Sequence, residues 1–181
     1  MISYDPSSVA GWAAFIFFGS FIQLVQPKSR PWYEKLKKNP DSALPEDNRI
    51  FSLWFLWYLL MFFATIEYFR LYPKADDLNS AVILWCSWIN ILFNHLWTPL
   101  FFHYGKLALA AGVIVVTFGS AMVVVIFFGL QQAWVPFGLY LPVVLWLAVA
   151  MFWNANAWGM KGSEVPAEEM EYMIVIKESS A

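Results

Sequence analysis

Apolar and polar residues fall in long blocks along this chain rather than in short periods. Five stretches are largely free of charge: 9–26, 50–69, 80–102, 106–128 and 136–158. Each holds 18 to 23 residues, and about 20 mostly apolar residues cross the hydrocarbon core of a bilayer as a helix. The pattern therefore predicts an all-α integral membrane protein, a five-transmembrane-helix bundle with short connections. Segments of alternating polarity, the mark of a membrane β-barrel, are absent. Residues 1–162 are expected to form the bundle and 163–181 an acidic C-terminal tail carrying Glu164, Glu168, Glu169, Glu171 and Glu178. No basic segment precedes the first stretch and no clear small-residue cleavage pattern follows it, so it is expected to be a retained helix, not a secretory signal. Neither an internal repeat nor an even number of spans is present, which weakens an inverted-repeat transporter reading.

Composition narrows the function classes. Hydrophobic residues make up 60% and charged residues 13% of 181, against about 45–50% and about 25% in soluble domains. A net charge of -2 with no basic stripe excludes a nucleic-acid partner of the usual kind. One cysteine, Cys86, excludes an intramolecular disulfide, and with His95 and His103 it is too little for a structural zinc site. No metal or cofactor is expected.

Charge in the loops sets the expected orientation. Lys28, Arg30, Lys35, Lys37, Lys38, Arg49, Lys106, Lys161 and Lys177 share one side of a five-span topology, and Arg70 and Lys74 lie on the other. The excess of basic residues faces the cytosol, which places the C-terminus there.

Inside the spans the neutral polar and aromatic residues carry the information. Trp54, Tyr58 and Met61 share one face of the second span; Asn90, Asn94, Trp97 and Thr98 cluster on the third; Trp146, Ala150, Asn154 and Trp158 form a stripe on the fifth. An asparagine amide in hydrocarbon leaves several hydrogen-bonding positions unmet, so the three stripes are expected to converge on one interior space. Two readings stand. The asparagines tie neighbouring helices while the tryptophans pack or sit in interfacial belts. Alternatively the stripes line a cavity for a flat apolar ligand. Trp12, Trp85 and Trp134 are assigned to the belts or the lipid face. Glu67 and Arg70, three residues apart, are expected to pair at a helix end. Ala108 and Gly112, with Gly119 and Ser120 further along, are expected to let the fourth helix pack closely within the molecule, a homodimer face being the alternative use. No nucleophile–base arrangement, HExxH or phosphate-binding loop is present. His95 is read as a hydrogen-bonded packing residue, His103 as solvated, and Cys86 as a small apolar filler.

These residues resemble a known family. Asn94-His-Leu-Trp97-Thr-Pro99-Leu-Phe101-Phe102 looks like the asparagine–tryptophan–FF signature of the translocator protein family, which includes the bacterial tryptophan-rich sensory proteins and the peripheral benzodiazepine receptor. Pro142 to Trp158, Trp54-Phe-Leu-Trp-Tyr58-Leu-Leu-Met61 and Pro31-Trp32-Tyr33-Glu-Lys-Leu36-Lys-Lys38 resemble its fifth-helix, second-helix and first-loop patterns, in family order. The resemblance implies a receptor for a porphyrin or a similar planar apolar molecule. Its ligand-binding candidates are Trp32, Trp54, Tyr58, Asn94, Trp97, Trp146 and Asn154. It also implies, as the alternative, a light- and oxygen-dependent degradation of porphyrin in which Trp54 and Trp146 would be the catalytic pair, or a role in transport of porphyrin or lipid and its regulation. The membrane would be a bacterial envelope or an organelle, the mitochondrial outer membrane in a eukaryote, and the partners a porphyrin, membrane lipid and a second copy of the chain. The stretch Asn39 to Asn48 departs from the family's proline-rich first loop, being longer and more acidic. Asn154-Ala-Asn-Ala-Trp158-Gly-Met-Lys161 lacks the tyrosine of the proposed cholesterol-recognition pattern.

Overall fold

Within hydrocarbon a chain must satisfy its own backbone hydrogen bonds, and helices do so segment by segment. The structure, a computed structural model, describes residues 31–45, 53–71 and 78–160, with the side chains of Pro31, Trp32 and His103 left aside. The described residues form α1 (Pro31–Lys37), α2 (Leu53–Leu71), α3 (Leu78–Thr98), α4 (Leu107–Leu130) and α5 (Trp134–Gly159), with a five-residue π-turn, Pro99–His103, after α3. None of these residues lies in a strand. The expected first span, 9–26, and the acidic tail fall outside the described residues, as does Trp12.

Three helical segments, Leu78–Phe102, Leu107–Leu130 and Trp134–Gly159, are long and apolar enough to cross a membrane. Helix α2, with 19 residues, extends about 28 Å at 1.5 Å per residue. It holds its charges at its C-terminal end, where the Arg70 guanidinium donates to Glu67 from Nε at 2.7 Å and through a second nitrogen. Helix α2 packs on α5, α5 on α4, and α4 on α3. The faces turned outward are apolar, including Leu92, Leu109, Leu145 and Phe152.

Polar ties hold the bundle at several levels. At one end Tyr68 of α2 donates to Gln131 Oε1 at 3.0 Å, and its hydroxyl shares a 2.9 Å hydrogen bond with Ser80 of α3. Between α3 and α4, Asn90 Nδ2 donates to the Thr117 carbonyl at 2.7 Å and reaches Ser120 Oγ at 3.4 Å. Asn90 thus ties α3 to α4, in line with the first of the two readings of the asparagines. Across the far end, Trp97 of α3 and Asn154 of α5 meet at the first turn of α4.

The structure corrects three expectations. The third span is not one unbroken α-helix to residue 102. Pro99 has no N–H to donate, and its ring crowds the preceding turn, so the helix widens: Tyr104 N–H reaches back to the Pro99 carbonyl at 2.9 Å and Lys106 N–H to Leu100 at 2.9 Å. Gly105, at φ 59°, then turns the chain into α4, a conformation glycine adopts without steric cost. Trp158 is not inward: it is 49% exposed. Steps of four residues gain on the helical turn, and twelve residues carry Trp158 about 120° around α5 from Trp146. The small-residue stripe of α4 does not pack within the described bundle either: Ala108, Gly112 and Gly119 are exposed, and a Cβ on either glycine would meet nothing within 4 Å. Of that group Ser120 alone is buried, beside Asn90. Trp85 and Trp134, at 63% and 65% exposure, face outward as expected.

The first loop is fastened to this scaffold from two sides. Tyr33 of α1 is fully buried, its ring edge-on to Phe101 and Phe102 of the π-turn at 6.2 and 5.4 Å. Burial and the adjacent Glu34 carboxylate hold the Tyr33 hydroxyl protonated, well above the usual phenol range. Asn156 of α5 then clamps the following stretch of loop: the Ala43 N–H donates to Asn156 Oδ1 at 2.8 Å, and Asn156 Nδ2 donates to the Asp41 carbonyl at 3.3 Å. Asn156→Ala is expected to speed amide hydrogen exchange at Ala43 by roughly tenfold, about the loss of one to two net hydrogen bonds, without changing exchange in α4. Unchanged exchange at Ala43 would show that the clamp does not hold the loop.

Candidate functional site

The aromatic residues of α2, α3 and α5 meet near the end of the bundle covered by the first loop. Trp54 is the hub. Its ring centroid lies 6.2 Å from Tyr58, 5.7 Å from Trp97 and 5.9 Å from Trp146, the last an edge-to-face contact at 82°. Trp97 stacks on Phe101 at 5.0 Å and 24°. Trp146 also touches Trp57 at 5.5 Å and Trp153 at 5.6 Å. Offset and edge-to-face pairs of this kind contribute about 0.5–1.5 kcal/mol each beyond burial. The result is a continuous aromatic wall shared by three helices.

The local sequence explains the convergence. Trp54 and Tyr58 are one turn apart on α2, and Asn94 and Trp97 three residues apart on α3, so each pair shares a face. The π-turn after Pro99 brings Phe101 under Trp97 and leaves Phe102 edge-on to both.

Two asparagines in this region behave in opposite ways. Asn154 is fully engaged: Trp97 Nε1 donates to its Oδ1 at 2.9 Å, and its Nδ2 donates to the Leu107 carbonyl at 3.0 Å. Both ends of its amide have a partner in the protein, and the bond to Nε1 positions the Trp97 indole. Asn94 is the reverse. It is 1% exposed, and neither its Oδ1 nor its Nδ2 has a hydrogen-bond partner among the described residues. A buried amide without partners is costly and rare in folded proteins. The neighbouring His95 has its Nδ1 2.7 Å from the Ile91 carbonyl and its ring 5.4 Å from that of Tyr58.

Of the residues expected at a ligand site, Trp54, Tyr58, Trp97, Trp146 and Asn154 thus form one contact network, and Asn94 lies on the same face of α3 as Trp97. The Trp32 side chain lies outside the described residues. Sequence reasoning missed Trp57 and Trp153. Trp57 is one position from Tyr58 and three from Trp54, a spacing that places it on the α5-facing side of α2. Among the described residues no group of three or more metal-ligating side chains occurs.

The profile of the TspO/MBR family matches residues 8–159 of this chain. The chain is also 31% identical over 137 residues to protein CrtK of Rhodobacter capsulatus, an overlap covering 75% of this chain and 81% of that protein.

The contrast between the two asparagines is open to measurement in the ligand-free protein. Asn154→Leu leaves the buried Trp97 N–H without its acceptor and removes the tie to the Leu107 carbonyl, and is expected to destabilise by about 1–3 kcal/mol. Asn94→Leu removes a buried amide that nothing satisfies and is expected to be neutral or stabilising in thermal unfolding. Equal destabilisation by both would make Asn94 a structural residue.

Proposed function

We propose that this chain, which belongs to the TspO/MBR family and is an all-α integral membrane protein, is a receptor for a porphyrin or a similar planar apolar ligand. The observation that carries the reading is Asn94: a fully buried amide with unused donor and acceptor, on the face of α3 that presents Trp97 to the aromatic wall. A planar conjugated ligand stacks on indole and phenol faces through dispersion and offset π contacts. An amide beside it offers one acceptor and two donors, and a tetrapyrrole carries both pyrrole N–H groups and ring-nitrogen acceptors to meet them. The wall supplies affinity and the amide supplies orientation, the division of labour common to apolar binding sites.

In this reading Trp54, Tyr58, Trp97 and Trp146 contact the ligand face, Asn94 bonds it, and Asn154 holds Trp97 in place. The family resemblance supports a role for Trp32 of α1 at the same site. Light-dependent oxidation of the ligand is a second reading. It is favoured by the direct contact of Trp54 with Trp146, which sets two oxidisable indoles side by side.

Titration of the purified protein with protoporphyrin IX in the dark, followed by tryptophan fluorescence, tests the first reading. Saturable quenching is expected, weakened roughly three- to tenfold by Trp146→Phe through lost stacking area and unaffected by Trp134→Phe on the outer surface. Quenching that never saturates, or equal effects of the two substitutions, would contradict it. Illumination of the complex separates the second reading: product formation lost in Trp54→Phe with binding retained would support it.

A further inference from the structure

Trp57 adds a feature that stacking alone does not explain. Its ring lies 5.5 Å from that of Trp146, with the planes inclined at 36°. Trp146 is in turn flanked by Trp54 and Trp153 at 82° and 90°. The indole nitrogens of Trp57 and Trp146 are both buried, and neither has an acceptor among the described residues. The Trp97 N–H, by contrast, has Asn154. A single buried N–H without an acceptor is uncommon. Two on rings in contact, on the same α2–α5 wall, mark a place built for an acceptor that the protein does not itself provide.

Charge in the vicinity decides what kind of acceptor. Helix α5 carries no acidic or basic residue. Those of α2 are Glu67 and Arg70, ten or more residues past Trp57 and so about 15 Å or further along the helix. A carboxylate at this wall would lose its hydration with no cation beside it on the described turns of α2 and α5, and two neutral donors do not offset that cost. An uncharged carbonyl or ester oxygen needs no counter-ion and accepts from an indole N–H directly.

We infer that Trp57 and Trp146 together form a recognition element for an uncharged acceptor, a carbonyl or ester oxygen on the periphery of the planar ligand. The inference rests on the reading of the aromatic wall as a ligand site and specifies the ligand beyond it: flat, apolar and carrying a neutral oxygen at one edge. Trp57 is then a specificity-determining residue, not only a packing one.

The test uses the full chain in dodecyl maltoside, which has no ester carbonyl and so removes lipid esters as an alternative acceptor. Protoporphyrin IX dimethyl ester and octaethylporphyrin are compared in the dark. The two are similar in size and apolarity, and the second lacks peripheral oxygen. Trp57→Phe keeps an aromatic ring and deletes the N–H. It is expected to weaken the dimethyl ester roughly fivefold, the worth of one neutral hydrogen bond, and to leave octaethylporphyrin unchanged. In protein labelled with 15N at the indoles, the Trp57 N–H resonance is expected to lie further downfield with the ester than with octaethylporphyrin, the macrocycle ring current being common to both. The free diacid is expected to bind wild type no more tightly than its diester.

Equal weakening of both porphyrins by Trp57→Phe, or no effect on either, would overturn the inference while leaving the binding reading intact. A diacid that binds more tightly than the diester would overturn the uncharged acceptor. If neither porphyrin binds wild type saturably, the planar-ligand reading falls and this inference with it.

Discussion

Asn154 fixes the geometry on which the candidate site depends. One side chain on α5 accepts from Trp97 on α3 and donates to the first turn of α4. In hydrocarbon such an amide has no water to fall back on, so both bonds are made within the protein or lost outright. With Trp97 held, its ring sets the position of Phe101 below it and of Trp54 beside it, and Trp54 in turn abuts Trp146. Three helices are thereby locked around one aromatic wall. Helix association in lipid has no hydrophobic driving force and rests on close packing and interhelical hydrogen bonds, so polar ties of this kind help to set how the bundle closes.

Asn154 is bonded at both ends of its amide, whereas Asn94 has a partner at neither end among the described residues. A buried amide without partners costs stability, which fits the proposed binding role, since functional sites commonly give up stability. The unpartnered indoles of Trp57 and Trp146 extend the same pattern along α2 and α5. The side chains that tie the helices together each have a partner: Tyr68 with Ser80 and Gln131, Asn90 with Thr117, Asn156 with the first loop.

Much of this is legible in the residues alone, because a bilayer imposes a length on apolar segments and helical spacing imposes a face. Three of the expected stretches fall on helices long and apolar enough to cross a membrane, and the shared face of Trp54 and Tyr58 leads directly to the contact with Trp97 and Trp146. What is not legible follows from features that spacing ignores. A stripe drawn at steps of four drifts around a 3.6-residue helix, and so Trp158 leaves the interior. Pro99 is visible in the sequence, but its conversion of the last turn into a π-turn depends on where the freed carbonyls find donors. Asn90 and Asn94 are one turn apart and look alike. Only the placement of α4 shows that the first has the Thr117 carbonyl within reach and the second has no partner. The small residues of α4 carry no sign of which side they face, and they face outward. Trp57 is hidden by its neighbours, one more apolar residue in an apolar run.

If the Asn94 amide is reserved for a ligand, as proposed, its own resonance reports it. In protein labelled with 15N at asparagine side chains, with Asn94 assigned through Asn94→Leu, addition of protoporphyrin IX in the dark should shift the Asn94 amide while those of Asn90 and Asn154, already bonded, stay near their ligand-free positions. An Asn94 amide that does not move as the porphyrin saturates, or three amides that move alike, would contradict the account.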